Sequence, residues 1–344
     1  MSASPILEAR SLTRYFTVRT GGGGWRRKRL VRAVEDVSLS LRPSRVTAVV
    51  GESGSGKSVL ARMLARIVTP TSGKLFLRGQ PIALGTKRRL DYARDVQLVL
   101  QDPFASMNPV HLVRHNLERA LLIHGARREE LPARLSGAMS RVQLTPPEGF
   151  LDRFPHELSG GQLQRVSIAR ALCVEPQVLL ADEPVSMLDV SVRLGVLNLV
   201  RSLADDERMA TLYITHDIAS ARYVADETIV MYAGQVVERS DGVTLIDEPA
   251  HPYTQLLIAS VPDPSDPTSV AAPVVGDEGA RLGIADVGCR FAPRCPFVMD
   301  RCRSEEPPSF VVGSGHESKC WLHRDAAVAT PVTVADAHEG VPRA

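Results

Sequence analysis

The chain has 344 residues, a formal charge of +2, 23% charged residues and 44% hydrophobic ones. Lys and Arg are interleaved with acids, which excludes the broad basic footprint of a nucleic-acid-binding surface, and no apolar run reaches the roughly 18–20 residues of a membrane span. The length suffices for one large core plus an appendage, and Met1–Phe16 lacks the apolar centre of a signal peptide, so a cytoplasmic chain is expected.

Ile6–Leu12 and Val31–Leu41 read as strands around an insertion, Gly21 to Arg29, whose four successive glycines oppose regular structure. Its basic cluster with Trp25 suits either a solvated loop or contact with anionic lipid headgroups. Arg45–Val50 is a short run of buried-strand type and leads directly into Gly51-Glu52-Ser53-Gly54-Ser55-Gly56-Lys57-Ser58, which fits G-x-x-x-x-G-K-[ST]. A helix is expected from Lys57 to Ile67. The glycines let backbone N–H groups turn toward phosphate oxygens, Lys57 reaches the β and γ phosphates, and Ser58 offers an oxygen to Mg²⁺ at the positive end of that helix.

Val96–Leu100 is a further apolar run, followed by Gln101. From Pro109 to Leu172 the residues favour helices, among them Leu112–Leu122 and Glu129–Val142, with a break at Thr145-Pro146-Pro147. Inside this stretch lies Leu158-Ser159-Gly160-Gly161-Gln162, where Ser159 is a candidate N-cap and the glycines permit close backbone approach. Gln177–Ala181 has the form of a buried parallel strand that delivers Asp182 and Glu183 to its C-terminal edge. Neighbouring strand side chains point opposite ways, so Asp182 is expected to face Mg²⁺ while Glu183 reaches an attacking water. Ala210–Thr215 then leads to His216.

After Glu248 the composition shifts. Four of the five cysteines, Cys289, Cys295, Cys302 and Cys320, fall in this last part, where metal ligation is the natural reading in a cytoplasmic chain, although no C-x₂₋₄-C knuckle is present. Cys173 stands apart and reads as a small buried hydrophobe. From Ala326 onward the sequence reads as a flexible end.

Taken together, Leu158–Gln162, the Pro155-His156-Glu157 before it and Gln164–Leu172 after it resemble the signature region of the ATP-binding subunits of ABC transporters. The resemblance implies an α/β fold: an ABC-type P-loop nucleotide-binding domain with a RecA-like core, antiparallel β and helical subdomains, and a small loop-rich C-terminal extension. It implies that Ser159, Gly160, Gly161 and Gln162 meet the γ-phosphate of an ATP held by a second subunit. It further implies that Gln101 touches Mg²⁺ and the water, that Asp189 lies in the loop Ser186–Asp189 at the dimer interface, and that His216 bonds the γ-phosphate. Phe16 falls where the family places an aromatic against adenine, with Tyr15 the alternative. Val59 and Met187 depart from common family residues without removing a charge or a phosphate donor.

His251-Pro252-Tyr253-Thr254-Gln255-Leu256-Leu257, followed by Pro262, is similar to the opening of the C-terminal extension in oligopeptide/dipeptide-type importer ATPases. That resemblance implies peptide uptake, or in other branches nickel, metallophore, glutathione or antimicrobial-peptide uptake. It implies two transmembrane permease subunits, a sibling ATPase or a second copy, and an extracytoplasmic substrate-binding protein, at the cytoplasmic face of the cell membrane. Soluble ABC ATPases that act on DNA or ribosomes, and export ATPases, are the competing readings. In some members the tail motif holds a [4Fe–4S] cluster; Zn²⁺ and free thiols remain open alternatives here. The expected division is residues 1–250 for the nucleotide-binding domain, with its helical part at about 105–172, then 251–325 for the extension and 326–344 for the end.

Overall fold

The computed structural model describes residues 4–20, 27–83, 89–260, 285 and 287–324. Twelve strands occur among them: β1 (Leu7–Thr20), β2 (Arg27–Leu41), β3 (Arg45–Val50), β4 (Ser72–Leu77), β5 (Gln80–Pro81), β6 (Val96–Val99), β7 (Val178–Asp182), β8 (Ala210–Thr215), β9 (Glu227–Tyr232), β10 (Gln235–Ser240), β11 (Phe310–Gly313) and β12 (His316–Ser318). They form two sheets, a four-stranded one in the order β2-β1-β4-β5 and an eight-stranded one in the order β11-β12-β10-β9-β3-β8-β7-β6.

The large sheet is parallel from β6 through β9. Such strands must be covered on both faces, and the sequence shows it in β3: Val46, Ala48 and Val50 join one core cluster, while Val49 between them joins the other. The first cluster extends beneath the helices of residues 113–172, and the second lies under the antiparallel sheet and the helix Lys57–Leu64. Each fully buried Val or Leu adds roughly 1.5–3 kcal/mol of burial free energy, so both faces hold the central strands firmly. The ends of β3, β7 and β8 are therefore rigid supports for whatever side chains follow them.

The helical stretch matches its expected outline. Helices run over Val113–Ile123, Leu131–Arg141 and Gly160–Leu172, with the proline break between the second and third. The first helix of the chain is shorter than expected, ending at Leu64 rather than Ile67; Arg66 takes φ 57, which unwinds the chain there. Strands β1 and β2 run further than expected and pair as far as Thr20 with Arg27, so Arg27 to Arg29 of the basic cluster belong to a strand. Gly21 to Arg26, with Trp25, lie outside the described residues, as does the expected flexible end.

The small C-terminal extension also contributes two short strands to the main sheet. Strand β12 pairs with β10 through Glu238↔Ser318 and Arg239↔Glu317, and β11 pairs with β12, so this segment continues the main sheet. Behind the pairing, buried Glu238 accepts from the backbone N–H groups of Ala250 and His251 and lies 2.7 Å from His316 Nε2. The boundary expected at residue 250 is thus crossed by a sheet ladder and a buried polar network. Among the described residues, no helix is long and apolar enough to cross a membrane.

Candidate active site

Four parallel strands, in the order β3-β8-β7-β6, end side by side, and the loops after them build one site. After β3 comes the loop of residues 51–58. Gly56 has φ 103, and a Cβ there would stand 2.2 Å from the Ala33 carbonyl oxygen, so only glycine fits where β2 crosses the loop. Lys57 is buried, and its ammonium donates to the carbonyls of Gly51 at 2.7 Å and Glu52 at 2.9 Å, which curls the loop around the amine. Burial pushes the Lys57 pKa down, opposed by Glu183, Asp182 and Glu52. Ser53 and Gly54 are exposed on the same loop, while Ser55 is buried beside Lys57 with its hydroxyl at 3.5 Å from the amine.

Asp182, the last residue of β7, is buried and accepts from the Ser58 hydroxyl at 2.9 Å. Desolvation pushes its pKa up, and the Ser58 bond opposes this. Two oxygen groups of the kind a hard cation takes thus converge beside Lys57.

Glu183 follows at φ 48, in the left-handed region. The expectation that it continues the strand's alternation is corrected here: the chain leaves the strand at Asp182, and the turn rather than the pleat aims Glu183. Its backbone N–H still donates to the Ile214 carbonyl at 2.9 Å, which anchors the turn to β8. A side chain in this region costs on the order of 1–3 kcal/mol and persists only where the surroundings hold it. They do so here, because Glu183 Oε2 accepts from Gln101 Nε2 at 3.0 Å and lies 3.2 Å from His216 Nδ1. The His216 bond holds the Glu183 carboxyl below its usual range, and the same bond raises His216. Gln101, Glu183 and His216, each from a different strand end, therefore form one cluster with Lys57, Ser58 and Asp182.

The second glycine motif behaves differently. Ser159 caps the helix Gly160–Leu172, accepting from the Gln162 N–H at 3.3 Å while Gln162 Oε1 accepts from the Ser159 N–H at 3.0 Å. This reciprocal box satisfies two of the helix's free donors. A Cβ on Gly161 would stand 2.3 Å from Val192 Cγ1, so the helix start is packed against the helix Val190–Asp206. Among the described residues, Ser159 and Gln162 make no hydrogen bond to residues 51–58. Asp189 stands exposed at the start of the helix Val190–Asp206 without a side-chain cap bond. Phe16 is half-buried with the Arg14 guanidinium 4.5 Å from its ring centre, while the Tyr15 hydroxyl is taken by Glu35.

Cys289, Cys295, Cys302 and Cys320 all line one apolar cavity, together with Phe291 and Trp321. Burial pushes the Cys289 and Cys295 thiols up, and Cys320 up to about 11, with the other three thiols adding to the rise at Cys320. Among the described residues no three His, Cys, Asp or Glu side chains stand as a ready ligand set. The sequence reading thus finds four donors at one cavity, but not arranged around a metal. Cys173 is buried, as expected, and burial pushes its thiol up to about 12.

Two residues without a predicted role also reach the loop. The Tyr253 hydroxyl accepts from the Glu52 N–H, and Arg294 pairs with the Glu52 carboxylate. Tyr253 lies in the segment that opens the C-terminal extension and Arg294 directly precedes Cys295, but nothing local to either points to Glu52.

A family described as ABC transporter matches residues 34–186, and one described as Oligopeptide/dipeptide transporter, C-terminal region, matches residues 237–302. The chain is 38% identical, over 94% of its length and 92% of the relative's, to a probable peptide ABC transporter ATP-binding protein of Sinorhizobium fredii. It is 42% identical to a di/tripeptide transport ATP-binding protein of Pseudomonas aeruginosa, over 88% of this chain and 93% of that one. Among solved structures, a dimeric post-hydrolysis state of the ATP-binding cassette MJ0796 bound to ADP and Pi superposes with a TM-score of 0.59 at 26% identity, covering 68% of this chain and 98% of that one. The chain thus belongs to the ABC transporter family, as an ATP-hydrolysing, ATP-binding subunit that carries the family's oligopeptide/dipeptide-transporter C-terminal region.

Proposed function

We propose that this subunit energises peptide uptake through an ABC permease at the cytoplasmic face of the cell membrane, by closing on ATP as a dimer and reopening after hydrolysis. The observation that carries the reading is the convergence of Gln101 and His216 on Glu183, beside Ser58 bonded to Asp182. Glu183 is the general base or orienter of the attacking water, with Gln101 and His216 holding its carboxylate. Residues 51–58 receive the phosphates, and Lys57 exchanges its carbonyl partners for phosphate oxygens. Ser58, Asp182 and Gln101 would hold Mg²⁺, which would neutralise charge on the phosphates. His216 is exposed enough to turn toward a γ-phosphate, and Phe16 offers a ring to adenine.

The exposed cap at Ser159, which bonds nothing in its own phosphate loop, supports a site completed between two chains: Ser159, Gly160, Gly161 and Gln162 of one subunit close over the ATP of the other, with Asp189 at the seam. Because ATP favours the closed pair, its differential affinity supplies the work handed to the permease through the loop after Gln101. The partners proposed are two permease subunits, a sibling ATPase or a second copy, and a substrate-binding protein outside the membrane. The peptide cargo rests on the printed names of the relatives and on the matching C-terminal region. The domain division proposed is the nucleotide core with its helical insert, followed by an extension that shares the main sheet.

For the four cysteines, a [4Fe–4S] cluster is the proposed occupant and Zn²⁺ the alternative. Support comes from four thiols lining one apolar cavity, a donor set that suits a cluster with Cys ligands. The experiment that tests the transport reading is capture of the tagged chain from detergent-solubilised native membranes. Permease subunits and a substrate-binding protein are expected with it, and recovery with ribosomes or DNA alone would overturn the assignment.

A further inference from the structure

Glu52 sits in the phosphate loop, yet its side chain and its N–H both turn away from it. Arg294 Nη2 and Nη1 lie 2.9 Å from the two Glu52 carboxylate oxygens, a two-pronged pair whose side chains are 13% and 18% exposed. The Tyr253 hydroxyl, on a residue only 1% exposed, accepts from the Glu52 N–H at 2.8 Å. Tyr253 is itself fixed by Tyr232 and Phe291, with ring centres at 4.6 Å and 5.5 Å, and Arg294 lies over those same two neighbours. The Glu52 carbonyl meanwhile accepts from Lys57. One residue of the loop is therefore gripped at its N–H, its carbonyl and its carboxylate, and two of the three grips come from more than 200 positions downstream, at separations of 201 and 242.

We propose that Tyr253 and Arg294 of the C-terminal extension are positioning residues for ATP binding, fixing Glu52 so that the phosphate loop is preformed and its carboxylate is kept paired instead of facing the incoming phosphates. The inference rests on ATP occupying residues 51–58. A planar guanidinium suits this role because two parallel bonds fix orientation as well as charge, which a lysine provides only in part. Tyr253 adds a neutral acceptor to the Glu52 N–H, so that this donor is spoken for before nucleotide arrives.

The test uses the full chain and measures ATP binding and steady-state hydrolysis for Arg294→Ala, Arg294→Lys, Tyr253→Phe, Glu52→Gln and the Glu52→Gln/Arg294→Ala double variant, with melting temperatures alongside. Losing a charge-assisted pair should raise the Kd and KM for ATP about tenfold in Arg294→Ala, with kcat within about threefold of the parent. Arg294→Lys should recover part of the loss, and the double variant should be no worse than the poorer single one. Tyr253→Phe keeps the ring packing and should still raise Kd by about threefold. If Arg294→Ala and Tyr253→Phe lower the melting temperature but leave Kd and KM unchanged, or if the double variant is additive, the positioning role is wrong and the contacts are structural. A parent chain that binds no ATP in the same assay would instead remove the ATP-site reading, and the inference with it.

Discussion

Gln101 and His216, which are 115 positions apart, reach the same oxygen of Glu183, at 3.0 Å and 3.2 Å. An acid held from both sides is oriented before substrate arrives, so replacing it should affect turnover far more than binding. Glu183→Gln should lower ATP hydrolysis by about 10²–10⁴-fold, the usual range for a general base, while ATP affinity stays near that of the parent. Single-turnover hydrolysis and equilibrium ATP binding measure the two quantities separately. Hydrolysis as fast as the parent's would sink the assignment.

Gly161 is the point where the signature helix meets Val192, and a Cβ there would come within 2.3 Å of a valine methyl. Gly161→Ala should therefore cost about 1–3 kcal/mol through overpacking. Adding Val192→Ala should return part of that loss in urea unfolding. A Gly161→Ala chain as stable as the parent would mean that the two helices separate easily, contrary to the packing described.

His251 provides a pH test. It is 1% exposed, its Nδ1 accepts from the Tyr253 N–H at 3.0 Å, and burial lowers its pKa to about 4 from an ordinary 6.5. As pH falls below 6.5 the unfolded chain takes up a proton that the folded chain refuses until about 4. The stability contribution is complete above pH 6.5 and drains away between 6.5 and 4, by up to about 3 kcal/mol. His251→Asn keeps an acceptor for the helix start and has no proton to gain, so its stability should change less with pH over that window. Identical pH profiles for the two proteins would show that His251 does not carry the effect.

The cavity of four cysteines makes a compositional prediction. Chain purified without oxygen should contain iron and acid-labile sulfide and show broad visible absorbance, and Cys302→Ser should lose most of it. Zinc in place of iron would favour the alternative, and protein free of both would leave four free thiols, two buried and two half-buried, packed as small hydrophobes.

What the sequence revealed was mostly local. The loop Gly51–Ser58 follows its strand directly, and Ser159 lies three residues from the Gln162 that completes its cap, so a short window contained each device. Glu183 was legible as an acid at a strand end but not as a residue at φ 48, because the run before it is uniformly apolar until Asp182 and gives no turn signal. The Glu52 grips were illegible for another reason. Arg294 and Tyr253 meet Glu52 only through tertiary structure, and no periodicity links positions 242 apart. The same holds for β12, a three-residue strand whose sequence, His316-Glu317-Ser318, has no apolar alternation and is placed by its partner β10.

That placement has a consequence for biosynthesis. Strand β10 is finished by residue 240, but the strand that pairs with its outer side ends at residue 318, so the emerging polypeptide carries an open hydrogen-bonding edge while many more residues are made. Unpaired edges recruit other chains, and a ribosome adds only about 5–20 residues each second. A stop codon introduced anywhere between those two points would make that brief vulnerability permanent, releasing a cassette with every nucleotide motif intact and a sticky flank.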